Sequence, residues 1–127
     1  MNKSMVAIGI IFIISGILLG AFGSHSLKQV VSSAKLASFE TGVRYQLFQG
    51  LGLIMIGLQQ TLEVPLKSFL RLNTLGTILF SCSIYLLTFS EYISLPNYLI
   101  GPLTPIGGSM MILAWSILLI QVLRKTK

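Results

Sequence analysis

Four stretches of this chain, residues 5–22, 45–62, 72–89 and 106–123, each run for eighteen residues without an Asp, Glu, Lys or Arg. At 1.5 Å per residue, a helix of that length reaches about 27 Å, close to the thickness of a bilayer's hydrocarbon core. Inside lipid a lone segment must satisfy its own backbone polar groups, and the α-helix does so. Only 9% of the 127 residues are charged, whereas a soluble domain carries about a quarter. Lipid must therefore be part of this chain's solvent. The connections are short, which makes successive helices antiparallel neighbours. The expected fold is all-α: one integral membrane four-helix bundle over residues 1–127, running up-down-up-down.

The four runs differ in character. The first follows Lys3 and ends near the small residues Ala21 and Gly23, a pattern shared with signal peptides. It is longer than the usual apolar core of such a peptide and carries Gly16 and Gly20 at GxxxG spacing. It is expected to stay as a helix. Residues 24–44 are more polar, with Leu27, Val30, Val31 and Ala34 at helical spacing. They predict a short amphipathic segment at the interface, with Ser33 able to cap a helix running on into the second span. The second run holds Gln46, Gln49, Gln59 and Gln60 and is the most polar. Glu63, Pro65 and Lys67 predict a turn. In the fourth run, Thr104 as N-cap with Pro105 at the first helical position predicts the helix start.

Orientation follows from the cations. Four spans put both termini and the middle loop on one side, with Lys3, Lys67, Arg71, Arg124, Lys125 and Lys127; the other side has Lys28, Lys35 and Arg44. The positive-inside rule then favours cytoplasmic termini in a bacterial plasma membrane. Because these cations flank apolar runs instead of forming a stripe, the net charge of +6 does not point to nucleic acid. Membrane lipids are the expected partners, and a homo-oligomer is left open.

In that arrangement the unusual polar residues gather at the outer end: His25, Glu40, Arg44, Tyr45, Gln46, Glu91 and Thr104, with the Gly101–Gly108 segment. Glu40 and Arg44, spaced i,i+4 with the acid first, are expected to pair. Either Arg44 snorkels to the headgroups with Glu40 neutralising it, or both join His25 in a site that binds headgroups or relays protons. No catalytic centre is expected. The chain has no Asp to orient His25 beside Ser24 or Ser26, so hydrolase chemistry lacks a triad. One histidine and Cys82 supply no metal-ligand spacing, so neither a metal nor a cofactor is expected. Cys82 reads as a packing residue, as does Trp115, whose indole N–H needs an acceptor on a neighbouring helix. Gly16, Gly20, Gly42, Gly107 and Gly108, with the breaks at Gly101, Pro102 and Pro105, read as packing and structural positions.

Four segments in order also carry a resemblance: GAFGSHSL (residues 20–27), FETGVRYQLF (39–48), LFSCSIYLL (79–87) and GPLTPIGG (101–108). They resemble the small four-helix bacterial inner-membrane family typified by YgdD and YwdK, an uncharacterised protein family. The resemblance spans nearly the whole chain and implies four transmembrane helices and a plasma-membrane location, with no activity attached. It departs at Gln49, where members often carry histidine, and at Gly50, where they often carry an alanine-like residue. Gly23-Ser24-His25-Ser26-Leu27 also differs from the usual GAHGL. A relay through a second histidine is weakened accordingly. Two functions are carried forward: a non-enzymatic membrane protein whose outer end binds lipid headgroups or a membrane partner, and a small oligomeric transporter or channel. The second is handicapped because all three glutamates lie at helix ends.

Overall fold

A computed structural model describes residues 1–125; Lys127, counted above among the cations, lies outside them. Among the described residues every regular element is helical: α1 (Lys3–His25), a 3-10 turn (Leu27–Gln29), α2 (Ser33–Leu58), α3 (Lys67–Thr88), the single turn α4 (Asn97–Ile100) and α5 (Leu103–Lys125). The four long helices alternate in direction. The start of α1 meets the end of α2, where Asn2 N–H donates to the Gly57 carbonyl at 2.7 Å. Going down α2, Gly42 lies against Ser81 of α3 and Gln49 against Asn73. Ser83 of α3 meets Thr104 of α5, and Thr77 meets Met111 further along. Here α1 packs along α2, α2 along α3 and α3 along α5, so α2 and α3 are the inner pair.

Two close backbone approaches fix the outer helices to the inner ones. A Cβ on Gly9 would stand 2.6 Å from the Gly50 carbonyl oxygen, and one on Gly107 would stand 2.6 Å from that of Gly76. These are contacts no side chain tolerates, so glycine lets α1 meet α2 and α3 meet α5 at backbone distance. Gly16 is also tight, against the Leu47 side chain, whereas Gly20 has ordinary clearance from Val43. Around them lie two apolar clusters. One, built on Met5, Phe12, Leu53, Phe69, Ala114 and Leu118, fills the end that carries Lys3 and Lys125. The other, built on Leu27, Phe39 and Val43, fills the opposite end.

The outside is as apolar as the inside. Ile10, Ile11, Ile14, Ile17 and Leu18 of α1 and Ile112, Leu113, Leu119 and Ile120 of α5 are exposed. Such continuous apolar faces are untenable in water and normal against lipid. Three segments, Lys3–Gln29, Lys67–Thr88 and Asn97–Lys125, are long and apolar enough to cross a membrane. The more polar α2 lies along α1 from Gly57 to Phe39, so it crosses wherever α1 does.

α2 begins at Ser33, where the sequence allowed a helix running on into the second span, and ends at Leu58. Three local expectations are revised. The segment between the first two helices is thus shorter than expected: one 3-10 turn, whose Leu27 is fully buried in the core with Val31 packed beside it. The cap is Ser32, whose hydroxyl accepts from Lys35 N–H at 3.3 Å. α5 starts at Leu103, so Thr104 lies within the first turn instead of capping it, and its hydroxyl turns to Ser83 Oγ at 2.6 Å. Pro105 still fits, because the first N–H groups of a helix have no intrahelical acceptor.

The glycine contacts give a direct test. Gly107→Ala drives a methyl into the backbone of α3 and is expected to destabilise the bundle by about 1–3 kcal/mol. Gly108→Ala meets only the Phe80 ring at 3.6 Å and is expected to be near neutral. Thermal unfolding in detergent, comparing the two variants, checks this.

Candidate functional site

Polar side chains occur at two levels of the bundle, and the helices explain both. The first is the middle. Gln46 sits halfway along α2 and is only 6% exposed. Its Nε2 donates to the Phe12 carbonyl at 3.1 Å and to Ser15 Oγ at 2.7 Å, both on α1. Its Oε1 accepts from the Tyr85 hydroxyl of α3 at 2.8 Å. One amide therefore ties three helices together. The Phe12 carbonyl can only accept, which fixes the orientation of the amide. A turn further along α2, Gln49 Oε1 accepts from Asn73 Nδ2 at 2.6 Å and from Trp115 Nε1 at 2.8 Å. The acceptor that Trp115 requires is thus a side-chain amide on α2. Asn73 is fully buried, and its Oδ1 has no partner among the described residues.

The second level is the end bearing the α1–α2 and α3–α4 connections, which are joined to each other. The Tyr92 hydroxyl donates to the Val30 carbonyl at 2.8 Å. Lys35 Nζ pairs with Glu91 at 2.9 Å and reaches Ser90 Oγ at 3.4 Å. Beneath this pair a hollow of about 480 Å³ opens between α2, α3 and the start of α5. Lys35, Ser38, Thr41, Thr88, Ser90, Asn97 and Thr104 supply its polar lining, while Ile84 and Leu87 supply the apolar part. Thr41 and Thr88 spend their hydroxyls on carbonyls of their own helices. The Ser38 hydroxyl and the Asn97 amide make no side-chain hydrogen bond among the described residues, and both remain free for a guest.

The structure separates the residues singled out from the sequence. Thr104 lines the end hollow. Gln46 and Tyr45 do not belong to that end; because α2 starts so early, both lie at mid-bundle, where the Tyr45 ring packs 5.1 Å from Phe80. Glu40 and Arg44 do line one shallow hollow of about 320 Å³ with Ser24 and Gly20. They form no ion pair, since the two pairs among the described residues are Lys35–Glu91 and Lys125–Glu63. The expected i,i+4 bridge is absent because both side chains are exposed, where such a pair gains little. His25 is exposed at the end of α1, outside both hollows. Lys35 and Asn97, which the sequence did not single out, line the end hollow. Lys35 was countable as an outer cation, but its partners lie far along the chain.

Elsewhere, Lys125 Nζ lies 2.8 Å from Glu63 Oε2, and that hydrogen bond and charge hold the exposed carboxyl below its ordinary range. Among the described residues no three His, Cys, Asp or Glu side chains gather to hold a metal.

Comparison with known proteins adds the following. The profile of a family described as "Protein of unknown function (DUF423)" matches residues 19–108. A UPF0382 membrane protein of Staphylococcus haemolyticus is 32% identical over 96% of this chain and 97% of its own length. The UPF0382 membrane protein YwdK of Bacillus subtilis is 29% identical over 96% and 98%. The UPF0382 inner membrane protein YgdD of Escherichia coli K12 is 30% identical over 85% and 80%. No solved structure matches.

The contrast between the buried amide and the exposed ion pair is measurable. Gln46→Leu leaves the Tyr85 hydroxyl without an acceptor and is expected to destabilise by about 1–3 kcal/mol. Glu40→Gln and Arg44→Gln are expected to change stability by less than about 0.5 kcal/mol. Chemical or thermal unfolding of the three variants side by side gives the answer.

Proposed function

Since this chain belongs to the DUF423 family and is a membrane protein, we propose that it is a non-enzymatic, multi-pass plasma-membrane protein that holds the phosphate of a lipid headgroup in the hollow beneath Lys35. The observation that carries the reading is the composition of that hollow. It combines the Lys35 ammonium, whose contacts with Glu91 and Ser90 leave one N–H, two unpartnered polar side chains in Ser38 and Asn97, and an apolar wall from Ile84 and Leu87. A phosphate offers acceptor oxygens to the ammonium, hydroxyl and amide, and the glycerol and upper acyl chain suit the wall. In its support, the hollow sits at one end of helices long and apolar enough to cross the hydrocarbon, the depth at which headgroups are expected.

The placement of the carboxylates also supports this reading over the transporter alternative. Glu40, Glu63 and Glu91 are all exposed, and a proton-coupled transporter of this size relies on an acid within the bilayer. The termini are proposed to be cytoplasmic, because Lys3, Lys67, Arg71, Arg124 and Lys125 crowd that end. The hollow then faces the outer leaflet.

Native mass spectrometry of protein released from vesicles of phosphatidylethanolamine and phosphatidylglycerol tests the site. The wild-type chain is expected to retain lipid, and Lys35→Gln with Asn97→Ala is expected to reduce the retained fraction about tenfold, as for loss of one charge-assisted contact. Equal retention by both proteins would contradict the assignment.

A further inference from the structure

The groove between α2 and α5, on the opposite side of the inner helices from α1, has a chemistry that neighbouring acyl chains do not match. It has a volume of about 550 Å³ and is lined by Tyr45, Gln49, Phe80, Gly108 and Trp115, with Met111 at its floor. Three of these are aromatic. Tyr45 packs on Phe80 at 5.1 Å, and Trp115 stands edge-on to Phe69 at 5.0 Å. The groove opens sideways to lipid, since Tyr45 and Trp115 are both partly exposed. Its depth is that of the bilayer interior. Trp115 falls near the middle of the 23-residue α5, and Gln49 lies level with it through their 2.8 Å hydrogen bond.

Two hydrogen-bond donors in this groove have no acceptor among the described residues. The Gln49 oxygen already accepts from Asn73 and Trp115. The indole N–H can only donate, so the amide cannot turn over, and Nε2 is left facing away from both. The Tyr45 hydroxyl likewise makes no hydrogen bond among the described residues. The Ser116 hydroxyl, by contrast, is spent on the Ile112 carbonyl at 2.8 Å. An unmet donor in hydrocarbon is costly. An acyl chain has no acceptor at this depth, because its ester lies at the interface, and water is scarce.

We propose that the α2–α5 groove binds a flat, ring-carbonyl-bearing lipid of the isoprenoid quinone class. The aromatic walls suit a planar ring. Gln49 and Tyr45, four residues apart on α2 and so on one helix face with Cβ atoms about 5–6 Å apart, present donors to its two carbonyl oxygens. The isoprenoid tail continues along the exposed Ile112 and Leu119 of α5. This site is separate from the headgroup hollow and does not depend on it.

Trp115 is the chain's single tryptophan, so its emission reports on the groove alone. The protein in nanodiscs is titrated with a benzoquinone carrying one isoprene unit. Saturable quenching is expected, with about tenfold weaker binding in Tyr45→Phe, which keeps the ring and removes the donor. Gly108→Leu fills the groove without touching the amides, and its Cβ has ordinary clearance from Phe80 at 3.6 Å; it is expected to abolish the saturable component. Quenching that rises linearly with quinone and is the same in all three proteins would mean partitioning into the bilayer only and would overturn the proposal. So would displacement of bound quinone by an equal amount of squalene, which has an isoprenoid chain and no carbonyl. The tyrosine variant keeps the test readable if the glycine variant does not fold.

Discussion

The side-chain amide of Gln46 is the contact on which the arrangement of helices depends. Hydrocarbon offers no water to a glutamine in the middle of a helix, so the amide must find its partners on protein. It finds them on both sides, with Phe12 and Ser15 on α1 and Tyr85 on α3. α2 therefore has to lie between those helices, and with the rotation that aims residue 46 inward. Gln49, three residues on, repeats the constraint toward Asn73 and Trp115 and reaches α5. Apolar packing among helices in lipid has little preference for one face over another, because lipid tails are as apolar as the side chains. The two amides supply that preference, and the glycine contacts at Gly9–Gly50 and Gly76–Gly107 set the distances.

The same arrangement explains where binding chemistry is left over. Groups that satisfy each other inside the bundle have nothing to offer a guest. At its edges remain Ser38 and Asn97, beside a Lys35 already held by Glu91 and Ser90, and Gln49 Nε2 with the Tyr45 hydroxyl where α2 faces the groove beside α5. The first set suits the phosphate found at that depth. The second suits a carbonyl carried into the hydrocarbon by an apolar tail. The Lys35–Glu91 pair ties the first turn of α2, and the Tyr92–Val30 bond ties the α1–α2 connection, to the segment that follows α3.

Much of the fold was legible in the residues and most of the site was not. Charge-free runs, short connections and glycine spacing are local signals, and they located four antiparallel helices in a membrane. The helix running on from about Ser33 was legible, but the span was bounded at Tyr45 because Lys35, Ser38, Glu40 and Arg44 read as a polar stretch outside lipid, whereas they form the first turns of the helix that packs along α1. That error displaced Tyr45 and Gln46 from the middle of the bundle to its end. Partner identities were hidden for a different reason. Trp115 plainly needed an acceptor, but Gln49 is 66 residues away in sequence, and Lys35 meets Glu91 across a similar gap. Glu40 and Arg44 show the converse: helical spacing permits a pair that exposed side chains have little reason to form.

A double-mutant cycle between Gln46 and Tyr85 tests the central claim most directly. If the amide holds α2 to α3, then Gln46→Leu, Tyr85→Phe and the double variant should give a coupling free energy of about 0.5–1.5 kcal/mol, the range for hydrogen bonds between membrane helices. Additive effects, with coupling indistinguishable from zero, would contradict the claim that this contact positions the inner helices.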